Sequence, residues 1–319
     1  MPPLPPVVDP DARALTSAQL RDVEALVAAA TTTDGAAPLS EQFLLALRHP
    51  HGPRHLLTYA GEQLRGYAQA RDDAAELVVD PEHRRQGVGT ALLAGLHTVA
   101  PQARVWAHGD LAPAAAFAAA LGLAVARELF VLERPLGAAG GAPLPPVVLP
   151  DGLHARAFVP GRDEQEWLRV NAAAFVHHPE QGRLTRADLD ELMTQDWFDP
   201  AGLLLVCPDG SDDPVAASHW TKVHPAGDKG PAPVGEVYVV AVDPAYQGRG
   251  LGRPVTLLGL HHLERAGLRT VILYVDGDNP AALRVYRSLG FGTLGVDRMY
   301  ERTHATDSRV GADGATMSP

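Results

Sequence analysis

Residues 247–252 read Gln-Gly-Arg-Gly-Leu-Gly, between an apolar run that reads as a strand and a longer pattern that reads as a helix. Glycine lets a backbone approach a ligand closely and reach positive φ without the steric cost of a Cβ. The first turn of a helix adds N–H groups with no intrahelical partner and the positive end of the dipole. Together these cradle a phosphate or pyrophosphate. The spacing excludes two known cradles. A G-x-G-x-x-G dinucleotide fingerprint needs glycine where Arg253 stands, and a P-loop needs a Gly-Lys-Ser/Thr that is absent. A plain strand-to-helix turn would explain a single copy, but there are two. Arg84-Arg-Gln-Gly87-Val-Gly89 repeats the pattern, and Asp80-Pro81 recurs 163 residues on as Asp243-Pro244. Gly87 and Gly89 recur at that same offset as Gly250 and Gly252.

A turn like this must be held by a strand before it and a helix after it, and the sequence supplies both twice. Each half continues into an apolar helix pattern, a short strand and a second helix ending in Leu-Gly, at Leu121-Gly122 and Leu289-Gly290. A self-similarity spanning half the chain implies two copies of one domain. Residues 1–134 form the first copy and 153–302 the second. The segment 135–152, with Gly-Ala-Ala-Gly-Gly and Leu-Pro-Pro, reads as a linker that holds neither helix nor central strand. The stretch 303–319 is small and polar without periodicity, and is expected to be mobile. In the second half, strands are expected at Leu153–Phe158, Leu203–Val206, Val215–Lys222, Glu236–Val242, Val271–Val275 and Gly292–Tyr300. Helices are expected at Asp163–Phe175, Thr185–Thr194, Leu251–Ala266 and Pro280–Leu289. Leu203–Val206 and Val215–Lys222 read as a hairpin around Asp209-Gly210. This order predicts an α/β fold, a mixed twisted sheet with helices on both faces, from about Leu15 to Glu133 and again in the second half.

Composition narrows the function classes. Twenty-seven Lys and Arg against 38 Asp and Glu give a net charge of −11, which disfavours nucleic acid or an anionic membrane as the main partner. The 31 glycines and 28 prolines show no collagen-like period and mark loops. Cys207 is the only cysteine, so no intrachain disulfide or cysteine metal cluster forms, and a reducing, cytoplasmic setting is expected. The first residues lack a basic-then-apolar leader pattern, and no apolar run reaches the ~18 residues of a membrane span. Of the 14 histidines, the pairs His177-His178 and His261-His262 are sequence neighbours, which point apart on a helix, so no metal is expected.

The pattern [Gln/Arg]-x-x-Gly-x-Gly after a strand resembles the acyl-CoA-binding signature of the GCN5-related N-acetyltransferases. The segment from Asn279 to Phe291, Asn-Pro-Ala-Ala-Leu-Arg-Val-Tyr-Arg-Ser-Leu-Gly-Phe, is similar to the fourth-helix segment of that superfamily. Acetyl-CoA as co-substrate is what the resemblance implies. Aligning the two Leu-Gly pairs places Tyr286 opposite Ala118, Asn279 opposite Leu111 and Tyr274 opposite Trp106. In acetyl transfer an amine attacks a thioester and a thiolate leaves, and a neutral tyrosine can protonate the sulfur. Tyr286 is the candidate acid; its alternative role is packing against Phe291. Glu236 opens the strand that leads to the turn and is the candidate base, directly or through water; its alternative is an exposed carboxylate at a strand end. Backbone N–H groups of Val240 and Val242 would polarise the thioester carbonyl. The second half is therefore the expected catalytic domain and the first a degenerate copy that still holds cofactor.

Trp106-Ala-His-Gly and Leu273-Tyr274-Val-Asp-Gly-Asp-Asn279 are further matching stretches, and His178-Pro-Glu180-Gln-Gly and His219-Trp-Thr-Lys222-Val-His-Pro are the most specific. They narrow the resemblance to the mycothiol synthases, tandem acetyltransferases that acetylate the cysteinyl amine of desacetylmycothiol. By that resemblance Glu41, Glu180, Lys222, Glu236 and Tyr274 contact the acceptor, a small pseudodisaccharide carrying an ammonium, so the site would draw on both halves. Family cofactor contacts map in the first half to Leu77, Val78, Val79, Arg85, Gln86, Gly87, Val88, Gly89 and Thr90. In the second they map to Val240, Ala241, Val242, Gln247, Gly248, Arg249, Gly250, Leu251, Gly252 and Arg253, with Asn279, Pro280, Ala281, Ala282, Leu283 and Arg284. Two readings stay open beside this one: a tandem acetyltransferase for another amine, and a non-catalytic acyl-CoA sensor. A monomer is expected from two pseudo-equivalent domains in one chain. The connection from His224 to Val234 carries no motif, and neither does the stretch after Thr303. Cys207 is followed by Pro208 and Asp209 at a turn, and direct transfer needs no acyl-enzyme at it.

Overall fold

The computed structural model describes residues 14–48, 53–137, 142–176 and 179–303, with only the backbone of Pro179 and Glu180. The chain forms two compact units, one of residues up to Glu128 together with those from Asp297 onward, the other of Leu129–Val296. This partition differs from a cut at 135–152. The last strand of each half is long, 13 residues in β5 (Leu123–Pro135) and 11 in β11 (Gly292–Arg302). The later part of β5 pairs in the second unit, and the later part of β11 pairs in the first. Strand pairing is not bound to sequence contiguity, which is what a linker-based boundary assumes. Residues 142–150 hold neither helix nor strand. The stretch 304–319, including most of the tail expected to be mobile, lies outside the described residues.

The first unit opens with α1 (Ser17–Asp34). Its start is fixed by a capping box, in which Thr16 Oγ1 accepts from Gln19 N–H at 3.2 Å and Gln19 Oε1 accepts from Thr16 N–H at 2.9 Å. It then runs α2 (Glu41–Ala46), β1 (Arg54–Ala60), β2 (Gln63–Arg71), β3 (Ala74–Val79), α3 (Val88–Val99), β4 (Arg104–Ala107) and α4 (Ala112–Ala120). Strands β1, β2 and β3 are antiparallel, β3 and β4 parallel, and β4 and β11 antiparallel from Arg298↔Ala107 to Tyr300↔Val105. Leu92 and Leu96 of α3 pack with Leu56, Ala68 and Ala75 to form the core.

The second unit runs β6 (Leu153–Ala157), α5 (Glu164–Ala174), α6 (Pro179–Gly182), α7 (Arg186–Met193), β7 (Leu203–Pro208), β8 (Ala217–His224), β9 (Val234–Val242), α8 (Gly252–Arg265), β10 (Thr270–Asp276) and α9 (Pro280–Ser288). Strands β6 to β9 are antiparallel, β10 is parallel to β9, and β5 closes antiparallel on β10. Alternating strand residues point to opposite faces, and each face has its own helices. Trp167 and Val170 of α5 and Leu189 of α7 pack with Leu205, Trp220, Val239 and Ala241. Leu257, Leu260 and Leu263 of α8 pack with Val237, Val271 and Leu273. The expected mixed sheet with helices on both faces is present, and β7 and β8 form the expected hairpin. Strands β8 and β9 run two residues further than expected, because their ladder continues through Lys222↔Glu236 to His224↔Val234. Among the described residues no helix is long and apolar enough to cross a membrane.

Candidate active site

The ladder between β9 and β10 is short. It covers Gly235↔Val271, Glu236↔Ile272 and Val237↔Leu273, while β9 continues to Val242 and β10 to Asp276. The cause is local. Trp220 pairs with Val239 and Thr221 with Val237, so Tyr238 is an extra residue on β9. Such a bulge bends its strand and increases the twist. Beyond it, Val240, Ala241 and Val242 keep their partners on β8 but have none on β10. The edge thus left open can pair with an extended, amide-bearing ligand.

This edge leads into the glycine turn. Asp243 accepts from Ala245 N–H at 2.8 Å and is paired to Arg169 at 2.6 Å, which fixes the strand exit. Burial opposes the Asp243 carboxylate, but the Ala245 amide and Arg169 outweigh it and hold its pKa low. Gln247 Nε2 donates to Val242 O at 3.2 Å. Gly248 and Gly250 sit at φ 75° and 78°, where other L-residues are strained, and nothing lies within 4 Å of where a Cβ would stand. Helix α8 follows with Leu251 at its N-cap and no side chain capping its amides. An open concavity edged by uncapped amides fits a pyrophosphate. Arg249 lies over the Tyr246 ring at 4.9 Å, and Arg253 donates to Ser288 Oγ at 2.7 Å. Asn279 Oδ1 caps α9 by accepting from Ala282 N–H at 3.0 Å, so its oxygen has a structural task. Pro280–Arg284 make up the first turns of that helix.

The first unit repeats the device. The β3–β4 ladder stops after Ala75↔Val105 while β3 runs on through Leu77, Val78 and Val79. Arg85 stands at φ 63° and Gly87 at φ 87° as N-cap of α3, again with no side-chain cap. The loop is anchored by Arg84, bidentate on Asp34 at 2.8 and 2.6 Å. Val88, Gly89 and Thr90 begin α3, and Gln86 lies between the two left-handed residues.

The halves differ where chemistry would occur. Tyr286 on α9 is buried and packs edge-on against Phe291 with ring centres 5.9 Å apart. Burial pushes its hydroxyl up to about 12, so it stays protonated at neutral pH. Among the described residues that hydroxyl has no hydrogen-bonding partner. Its counterpart Ala118 is buried and carries no proton to give. The counterpart of Asn279, Leu111, leaves α4 without a side-chain cap.

Glu236, Lys222 and Tyr274 come together on three adjacent strands. Glu236 is buried and faces Lys222 on β8. The Lys222 ammonium is also buried and lies over the rings of Trp197 and Tyr238 at 4.5 and 5.3 Å. Tyr274, two residues past the Glu236 partner on β10, is half-buried and hydrogen-bonded to Lys229. Desolvation works against the Lys229 ammonium, but Tyr274, Asp228 and Glu236 outweigh it and hold its pKa up. Five of these residues were not among those expected from the sequence: Trp197, His224, Asp228, Lys229 and Tyr238. His224 Nε2 lies 2.5 Å from Glu236 Oε2, and its Nδ1 lies 2.6 Å from Asp228 Oδ2. The alternation of β8 carried the signal, because His224 is two residues beyond Lys222 and so on its face.

Glu41 is the first residue of α2 in the first unit, where Ser40 N–H donates to Glu76 at 2.7 Å. The backbone of Glu180 lies in α6, and its side chain is outside the described residues, as are His177 and His178. In the first unit His108 bridges Glu76 and Asp297, at 3.0 Å each. Burial opposes the His108 imidazolium, but the two carboxylates outweigh it and raise it to about 10. Cys207 is buried within β7, and burial raises its thiol, the opposite of a nucleophile. Among the described residues no group of three His, Cys, Asp or Glu is arranged to hold a metal.

Comparison with known proteins matches this geometry to a family. The model of the acetyltransferase (GNAT) family matches the chain twice, at residues 20–123 and 166–291. A mycothiol acetyltransferase from Thermomonospora curvata is 53% identical over 294 residues, covering 90% of this chain and 95% of the relative. One from Streptomyces avermitilis is 49% identical over 299 residues, covering 90% and 92%. Among solved structures, a GCN5-related N-acetyltransferase from Sphaerobacter thermophilus has TM-score 0.66 at 22% identity, covering 93% of this chain and 96% of that one. A tandem GNAT protein of the clavulanic acid biosynthesis pathway has TM-score 0.63 at 19% identity with the same coverage, and at such identities the likeness is one of fold.

Proposed function

Because this chain belongs to the acetyltransferase (GNAT) family and, within it, to the mycothiol acetyltransferases, we propose that its second half transfers acetyl from acetyl-CoA to the cysteinyl amine of desacetylmycothiol. The observation that carries the assignment of the active half is the asymmetry at one position, Tyr286 against Ala118. Acetyl-CoA supplies the acyl group as a thioester. The amides of the 247–253 turn and the α8 N-terminus hold its pyrophosphate, and the open edge of Val240–Val242 holds its extended arm. Amides on that edge also stabilise negative charge developing on a carbonyl oxygen.

The acceptor arrives as an ammonium and must lose a proton before its nitrogen can attack. An α-amino group has a pKa of ~7.7–8, so a carboxylate suffices as base, directly or through one water. Glu236 fills that role. Its burial strengthens its attraction to an incoming ammonium. Tyr286 holds the proton that a departing thiolate needs, at a site dry enough to keep the hydroxyl neutral. Lys222 and Tyr274 line the same face and offer polar contacts to sugar hydroxyls, while Trp197 and Tyr238 supply aromatic surface beside them. Transfer is direct, in a complex of both substrates, within the cytoplasm and without a metal.

The test is turnover by the purified protein. Acetyl-CoA consumption with desacetylmycothiol, giving a product heavier by one acetyl group, is the expected result. No turnover with that acceptor, but turnover with a polyamine or a peptide terminus, would favour the broader reading of a tandem acetyltransferase with another amine substrate.

A further inference from the structure

The loop 225–233, which carries no motif, turns back on the base of the site. Gly227 N–H donates to Gly230 O at 2.7 Å and Asp228 N–H to Pro225 O at 3.2 Å, so the hairpin connection between β8 and β9 is closed on itself. That fold brings Asp228 Oδ2 within 2.6 Å of His224 Nδ1, while His224 Nε2 meets Glu236 Oε2 at 2.5 Å. His224 and Glu236 are buried, whereas the Asp228 side chain is 48% exposed. Both ring nitrogens thus face carboxylate oxygens. An ionised carboxylate only accepts, so two such partners are both satisfied when both ring nitrogens donate. The ring is held at both ends.

From this geometry we propose that His224, braced by Asp228, is the positioning residue of the acetyl-transfer reaction: it commits Glu236 Oε2, turns Oε1 to the acceptor, and keeps the buried carboxylate ionised. The inference rests on Glu236 being the base. The ionised form of a buried carboxylate is disfavoured by desolvation and favoured by a neighbouring cation. Three basic side chains are near: the His224 ring, Lys222 on β8, and Lys229 in the loop. Lys222 has its ammonium over Trp197 and Tyr238, and Lys229 is engaged by Tyr274 of β10 and by Asp228. His224 meets a Glu236 carboxylate oxygen at 2.5 Å. No proton need pass through the ring, and the proton taken at Oε1 returns to solvent with the product.

The experiment measures kcat/KM for desacetylmycothiol from pH 6 to 9 at saturating acetyl-CoA. It compares wild type, His224→Gln and His224→Ala, with acetyl-CoA binding as the control for folding. Glutamine can still donate to Glu236 but carries no charge. His224→Gln should therefore keep its high-pH plateau within about three-fold of wild type, while the pH at which activity rises moves up by about one unit. His224→Ala should show the same displacement and a plateau at least about ten-fold lower, because Oε1 is no longer aimed. Should both variants lose activity by the same factor at every pH, the ring is merely structural and the proposal falls. If the variants fail to bind acetyl-CoA, 15N shifts of the His224 ring in the wild type decide: both nitrogens protonated at pH 7.5 supports the proposal, one bare nitrogen overturns it. If wild type turns over a different amine instead, the acceptor reading fails, and the same pH comparison is made with that amine.

Discussion

At the scale of single residues, the two copies share a turn and differ in side chains. The contrast between Tyr286 and Ala118 is visible in the sequence once the Leu-Gly pairs are aligned. Tyr286→Phe removes one hydroxyl that has no protein partner among the described residues and leaves the ring on Phe291. Its stability should therefore change by less than about 0.5 kcal/mol. Its turnover should fall by about a hundred-fold, the low end for loss of a general acid. Thermal melting and kcat measured side by side check this, and unchanged kcat removes Tyr286 as the acid. Glu236→Gln keeps the size and loses the base, so kcat should fall by about a hundred-fold or more with acetyl-CoA binding retained. The residues hidden from sequence reasoning are those whose role comes from contact across a hairpin. His224 and Asp228 are four residues apart in a segment with no periodicity, and the turn at 227–230 that joins them leaves only glycines as a trace.

At the scale of elements, the glycine turn was legible because its chemistry is backbone chemistry and its letters are constrained. The positive φ at Gly248 and Gly250 and the uncapped start of α8 are what the spacing implied. Gly250→Val would place a β-branched side chain at φ 78°, where such residues are strained by about 1–2 kcal/mol. Acetyl-CoA affinity and kcat/KM should both drop by about ten-fold or more, as read by calorimetric titration and steady-state rates. Unchanged affinity would show that the concavity is not the pyrophosphate site. The strand splay was not legible. Nothing in Glu236–Val242 marks Tyr238 as an extra residue, since a bulge arises from pairing with β8 and not from the residues of β9 alone. The pairing of the closing strands was not legible for a similar reason. The apolar pattern of β5 shows that it is a strand, yet no local signal says that its later residues pair with β10.

At the scale of the whole molecule, three histidines with no part in the proposed chemistry set how stability depends on pH. Burial pushes His55 and His219 down to about 4 each; His55 Nδ1 lies 2.6 Å from the Tyr67 hydroxyl and His219 Nδ1 lies 2.9 Å from Val255 O. An unfolded histidine titrates near ~6.5, so between pH 4 and 6.5 the unfolded chain binds more protons than the folded one. Stability therefore rises with pH through that window and is lost as the solution is acidified. His108 has the opposite sign. Burial opposes its charge, but Glu76 and Asp297 outweigh burial and raise it to about 10, so its contribution is complete below pH ~6.5 and is lost as pH climbs towards 10. The two trends meet near neutrality and predict a stability maximum there. Each pKa unit corresponds to ~1.4 kcal/mol, which sets the His108 contribution at a few kcal/mol at most. Urea denaturation at pH 5, 7 and 9.5 should give midpoints highest at pH 7. In His108→Gln the fall from pH 7 to 9.5 should flatten while the fall from pH 7 to 5 persists. Parallel alkaline limbs in the two proteins would mean that the Glu76–His108–Asp297 cluster does not carry the charge its geometry implies.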